Sequence, residues 1–228
     1  MKSRVNIKKA LIGILIVAFL AATGYFAGPN PTTRSRQNIR LAQETYTIQY
    51  ITDGDSLRFS NGAEVRLVGI DAPDFNSDPE NAKRARSFLV KMLKGKSVLV
   101  MPAAEPMDKY GRNLAYLYIE SPKGKNLVNA LVVRTGHAYA WHYKPNTEHS
   151  AEIMKAQIEA QRERRGIWGK IPRKSSEYFV QRNGRFSITH RPGCKKLGKK
   201  RNNTVRFKNR NEALNAFGGS PPCRHCLP

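Results

Sequence analysis

TDGDSLRFSNGAEVRLVGIDAPD, residues 52–74, sets four carboxylates (Asp53, Asp55, Asp71, Asp74) and one arginine (Arg66) among Val, Leu, Ile and Phe. Residues 56–59 and 63–70 carry the branched and apolar side chains of strands, and Asn61-Gly62 between them is the dipeptide of a tight hairpin. Antiparallel strands bring their ends back to one place. The two acid clusters can therefore converge into an oxygen-rich site for a hard cation.

Upstream of this stretch, residues 45–51 read as a further strand. Downstream, Asp78 is an N-cap, Pro79 takes the first helical position and Glu80 puts an acid in the first turn. Ala82, Ala85, Phe88, Leu89, Met92 and Leu93 then recur at helical spacing, and Gly95 closes the helix. Strands are expected at 97–101 and 112–119 across a polar loop, and helices at 126–134 and 148–165, stopped by Gly136 and Gly166. Short strands with interspersed helices make an α+β fold built on a small barrel.

The 228 residues hold 40 Lys+Arg against 17 Asp+Glu, a formal charge of +23. That balance calls for a polyanionic partner: nucleic acid, or an acidic membrane or wall surface. Lys2, Arg4, Lys8 and Lys9 precede an uncharged apolar run at 10–27, the pattern of a cleaved export signal or a retained membrane anchor. Either sends the rest of the chain out of the cytoplasm, to be secreted or membrane-anchored. Residues 1–27 are thus set apart; 28–43 read as a linker, 44–170 as the main domain, 171–176 as a second linker and 177–228 as a basic tail module.

Within the main domain stand, in order, DGDS (53–56), RLVGIDAPD (66–74), MDKYGRNLAYLY (107–118) and LVVRTGHAYAWHYKPN (131–146). Together these resemble the signature blocks of the staphylococcal-nuclease-like (thermonuclease) family, over about residues 45–168. The resemblance implies an OB-type five-stranded barrel with three helices, and a Ca²⁺-dependent phosphodiesterase acting on DNA and RNA. It implies Asp55 and Asp71 as calcium carboxylates, the Ala72 carbonyl as a further ligand, and Asp53 behind them. Arg66 and Arg112 would bind the scissile phosphate. Asp74 stands where the family usually has a glutamate that orients or deprotonates the attacking water, and is one methylene shorter. Tyr110, Trp141 and Tyr143 match positions that contact the nucleotide.

The chemistry of these residue types agrees. Attack of water on a phosphodiester adds charge to an already anionic centre, so cations must surround its oxygens. Arginine offers planar, bidentate donors that lysine cannot imitate. Aromatic faces stack bases without sequence preference. Tyr116, Tyr118 and Tyr139 read as strand and core aromatics, and His137, His142 and His149 as structural or solvated. A non-catalytic nucleic-acid-binding barrel is the alternative of a different class; the joint presence of Asp55, Arg66, Asp71 and Arg112 argues against it. No protein partner is called for, and a monomer is expected.

Residues 173–228 hold fourteen Lys and Arg against Glu177 and Glu212, together with all three cysteines. His190-x3-Cys194 followed by Cys223-x2-Cys226 is a Cys₃His set for a closed tetrahedral zinc site. It resembles the metal-binding domain of Ada-type repair proteins, with a histidine replacing one cysteine. So small a module needs a metal to fold. A disulfide involving these cysteines is the alternative in an exported protein.

Overall fold

The computed structural model describes residues 39–122, 124–169, 175–198 and 201–227. The apolar run at 10–27 and most of both expected linkers lie outside these residues. Among the described residues no helix is long and apolar enough to cross a membrane.

The chain runs β1 (Thr45–Ile51), β2 (Ser56–Phe59), β3 (Glu64–Leu67), β4 (Ile70–Asp71), α1 (Pro79–Leu93), β5 (Ser97–Met107), β6 (Asn113–Ser121), β7 (Gly124–Leu127), α2 (Val128–Arg134), β8 (Tyr139–Ala140) and α3 (Ser150–Arg162). The main sheet has the order β3-β2-β1-β5-β6-β7. β3 also pairs in parallel with β6, through Val65↔Asn113, Arg66↔Leu114 and Leu67↔Ala115, and this closes five strands into an OB-type barrel. Ile48, Ile51, Leu57, Phe59, Leu67 and Leu117 fill its interior and are almost wholly buried. α1 starts as expected: the Asp78 side chain accepts from Asn81 N, and Ala82, Ala85, Leu89 and Leu93 face the core.

Several boundaries differ from expectation for local reasons. The strand expected over 63–70 breaks at Gly69, whose φ of +81° turns the chain from β3 into β4; a Cβ there would meet Ile153 Cδ1 at 2.7 Å. β5 continues to Met107 through Pro102 and Pro106, and its register against β6 shifts between Pro102 and Met107. Residues 124–127, whose end was expected to begin a helix, instead form β7, a hairpin partner of β6. Within the segment read as a linker, Leu41 is buried and its N–H donates to Asn113 Oδ1 at 3.1 Å.

Asn129 on α2 is fully buried and locks that helix to the barrel. Its Nδ2 donates to Val68 O at 2.8 Å and Ala115 O at 3.3 Å, and its Oδ1 accepts from Leu117 N at 3.1 Å. Replacing Asn129 with leucine strands a buried carbonyl and a buried N–H. The expected loss in a denaturant titration is about 2–3 kcal/mol, the cost of unsatisfied buried polar groups.

The tail forms β9 (Tyr178–Asn183), β10 (Phe186–His190), β11 (Thr204–Phe207) and α4 (Arg210–Asn215), with sheet order β10-β9-β11. It packs on the main domain, in the same compact unit. Leu214 of α4 is buried with Tyr139, Ala160, Ile167 and Trp168. The fully buried Gln157 of α3 accepts from Ala140 N at 2.8 Å and donates to Asn215 Oδ1 at 2.7 Å. Gly219 comes so close to β8 that a Cβ would lie 2.6 Å from Ala140 O.

Candidate active site

The barrel mouth gathers the acids. Thr52 N donates to Ser56 O at 2.9 Å and Leu67 N to Asp55 O at 2.8 Å, which pins the loop between β1 and β2 over β3. Gly54 permits this: a Cβ there would sit 2.6 Å from both Ala72 Cβ and Ala85 Cβ. β4 carries Asp71 beside that loop, held by its pairing with Tyr139. Asp55 Oδ2 accepts from Ala72 N at 2.8 Å and Oδ1 from Ser56 Oγ at 3.0 Å, so both sides of the acid pocket are tied together.

Arg66 projects from β3 between the acids and is largely buried. It pairs with Asp55, donates to Asp71 Oδ1 at 3.2 Å, and lies with its Cζ 5.6 Å from the Trp141 ring centre. Arg112 follows the turn at Gly111 (φ +78°). Its Nε donates to Asp108 Oδ2 at 2.8 Å, while Asp108 Oδ1 accepts from Tyr110 N and Arg112 N at 2.9 and 3.0 Å. One carboxylate thus shapes the turn and aims the arginine.

Burial favours the neutral form of every acid here, and what offsets it differs from one to the next. At Asp55, burial is outweighed by the Arg66 charge and by hydrogen bonds from Arg66, Ala72 and Ser56, which hold the carboxyl below its usual range. At Asp71, burial prevails over Arg66 and Arg224 and pushes the carboxyl up. Burial and the adjacent Asp55 charge push Asp53 up to about 6. Asp74 is the most exposed; burial raises it, but hydrogen bonds from Ser77 and Asn76 and the Arg224 charge together outweigh burial and carry it below the usual range. Its Oδ1 accepts from Asn76 N at 2.8 Å and Ser77 N at 2.9 Å, and its Oδ2 from Ser77 Oγ at 2.8 Å.

These groups line one cavity of about 560 Å³, which takes in Asp53, Asp55, Arg66, Asp71, Ala72, Asp74, Arg112 and Trp141. Trp141 Nε1 is buried without a hydrogen-bond partner. Tyr110 and Tyr143 stand apart. Tyr110 is 65% exposed beside Arg112, with the guanidinium carbon 5.6 Å from its ring centre. Tyr143 stacks on Phe186 of β10 (5.7 Å, 11°), with Arg185 over its ring at 4.9 Å. Tyr116 and Tyr139 are buried, and His149 bonds Tyr118 Oη at 2.8 Å, as structural residues do.

Two participants escaped the sequence reading. Asp108 is one; its place three residues before Gly111, with Arg112 following, is the available signal. The other is Arg224, 153 residues from its partner Asp71, and no local pattern foretells it. The tail module supplies the far wall of the cavity through Ile188, Lys196, Pro222, Cys223, Arg224 and His225.

The cysteine set converges. One ligand atom from each of His190, Cys194, Cys223 and Cys226 lies within 4.8 Å of the others. His190 Nδ1 is 3.4 Å and Cys223 Sγ 4.0 Å from Cys194 Sγ. Zn–S bonds of 2.3 Å and Zn–N bonds of 2.0–2.1 Å make tetrahedral edges of about 3.5–3.8 Å, so these separations suit a metal. The three cysteines are unbonded to one another here. Burial lowers the pKa of His190 and so favours the neutral ring that a metal binds.

A family model of staphylococcal nuclease homologues matches residues 64–170. The chain is 32% identical over 171 residues to a thermonuclease of Staphylococcus intermedius, covering 71% of this chain and 98% of that protein. It is 27% identical over 170 residues to a thermonuclease of Staphylococcus hyicus, with the same coverage of 71% and 98%. It is also 31% identical over 134 residues to the SPbeta prophage-derived endonuclease YokF of Bacillus subtilis (strain 168), covering 54% of this chain and 44% of that protein.

Proposed function

The chain belongs to the staphylococcal nuclease family and is a nuclease, and from that premise we propose that it hydrolyses DNA and RNA with Ca²⁺ bound by Asp55, Asp71 and the Ala72 carbonyl. The observation that carries this reading is the convergence of those oxygens on one cavity beside Arg66 and Arg112. The donor set is all oxygen, as Ca²⁺ prefers. It also already surrounds a positive group: Arg224 reaches both Asp71 Oδ1 and Ala72 O. When bound, calcium would polarise the scissile phosphate and offset its charge against the acids.

The chain's own residues supply the rest. Arg66 and Arg112 would grip the phosphate oxygens as charge builds on them, and Arg112, the more exposed of the two, would also serve the departing 5′-oxygen. Asp74 would orient the attacking water. The three hydrogen bonds it accepts within its own turn would hold it in place and so compensate for a side chain shorter than glutamate. Trp141 and Tyr110 would offer faces to the nucleotide, and Tyr143, stacked on Phe186 with Arg185 over its ring, would contact it by its edge or hydroxyl. The metal held by His190, Cys194, Cys223 and Cys226 would be structural zinc, and the apolar run at 10–27 would carry the enzyme out of the cytoplasm, secreted or anchored, as a monomer.

Incubation of the full chain with closed-circular DNA, linear DNA and RNA, followed by end-group analysis, tests the reading. Cleavage of all three with calcium, leaving 3′-phosphates, is expected. Products ending in 3′-hydroxyls would refute the assigned leaving group, and no cleavage would refute the site. Asp74→Asn keeps the acceptor of its turn but loses the charge; kcat is expected to fall about 10²-fold. An unchanged kcat would remove Asp74 from the mechanism.

A further inference from the structure

Arg224 sits between Cys223 and Cys226, beyond the residues that the family model matches. Its guanidinium donates to Asp71 Oδ1 at 2.7 Å and to Ala72 O at 3.3 Å, and pairs with Asp74 Oδ2 at 2.8 Å. Two of these three acceptors are the proposed calcium ligands and the third is the carboxylate proposed to hold the water. Asp71 Oδ1 already accepts from Arg66 at 3.2 Å as well as from Arg224, so both its lone pairs are taken and a divalent cation bound there must displace a donor. Arg224, the more exposed of the two arginines, is the one that can withdraw, and its charge opposes that of the ion.

The arginine is not delivered by a loose loop. Cys223 N donates to Thr189 O at 2.8 Å, and Cys226 N and Leu227 N donate to Cys223 O at 3.1 and 2.8 Å, which fixes the turn that carries it. Cys223 and Cys226, at the two ends of that turn, belong to the cluster proposed to hold zinc, which would brace it. Leu214, Gln157 and Gly219 seat the module on the barrel.

We propose that Arg224 is a resident counter-cation of the calcium site: it neutralises Asp71 and Asp74 in the metal-free enzyme, yields to the incoming divalent ion, and so sets the calcium concentration the nuclease requires. The inference rests on the calcium ligands proposed above. By linkage, a group that stabilises the metal-free state weakens metal affinity by the same free energy. Loss of the contact and loss of the positive field act in one direction, toward tighter calcium binding.

The test is a calorimetric titration of Ca²⁺, without substrate, into the full chain carrying its tail metal, as wild type, Arg224→Gln, Arg224→Lys and Asp71→Asn. Arg224→Gln is expected to bind calcium at least about tenfold more tightly, about 1.4 kcal/mol. Arg224→Lys, which keeps the charge without the fork, should fall between it and wild type. Without calcium, Arg224→Gln should melt below wild type, and saturating calcium should close the gap. Equal or weaker calcium binding by both Arg224 variants, with wild-type binding that Asp71→Asn abolishes, overturns the role of Arg224 and leaves the site standing. Absence of binding by wild type and by both Arg224 variants overturns the site itself.

Discussion

Arg112→Ala is expected to lower kcat on DNA by about 10²- to 10³-fold at saturating calcium, the scale of removing one preorganised donor aimed at developing charge. The two arginines of the cavity are not equivalent. Arg66 is already engaged by Asp55, Asp71 and the Ile70 carbonyl, and part of its role is to hold the acids together. Removing it would leave buried carboxylates unpaired and confuse catalysis with stability. Arg112 is bound on its own turn, to Asp108, and is more exposed. Its loss should therefore register in turnover and hardly in folding. Arg112→Lys should recover little, since an ammonium cannot bridge two phosphate oxygens. A kcat within threefold of wild type would show that the phosphate is held elsewhere.

Cys223→Ser is expected to have the largest structural effect. Metal binding by comparable structural zinc sites is worth about 10–16 kcal/mol, far beyond what the small apolar cluster of Tyr178, Val180, Ala213 and Leu227 replaces. The variant should lose bound zinc, measured per chain by elemental analysis, and become cleavable by protease within residues 175–227. The barrel should survive, because the strand pairings that close it all lie upstream. Its site would lose the wall formed by Lys196 and Arg224. A wild-type chain containing no metal, with Cys223 in a disulfide, would refute the zinc assignment.

What was legible in the sequence was what is locally encoded. The Asn61-Gly62 hairpin, with Gly62 at φ +90°, and the start of α1 at Asp78-Pro79 each depend on a few adjacent residues. The acids and arginines of the barrel mouth were legible because they sit in compact blocks at characteristic spacings. β5 was cut short because Pro102 and Pro106 argue against a strand, and it accommodates them only through a shifted register. β7 was hidden because its Leu127 doubles as the residue before α2.

The tail's effect on the site was not legible at all. The basic charge of the chain called for a polyanionic partner, nucleic acid or an acidic surface, yet Arg224 of the tail turns its charge inward onto Asp71, and Phe186 covers a face of Tyr143. Both contacts join residues far apart in the chain, which no spacing rule addresses.

The most direct test of the central claim is the rate of DNA hydrolysis by the full chain as free calcium is raised from chelated to saturating levels, in wild type and Asp71→Asn. No turnover is expected without calcium, then a saturable rise in wild type, with a loss of at least about 10²-fold in Asp71→Asn wherever wild type turns over. Turnover that persists under chelation, or an Asp71→Asn variant as active as wild type, would contradict it.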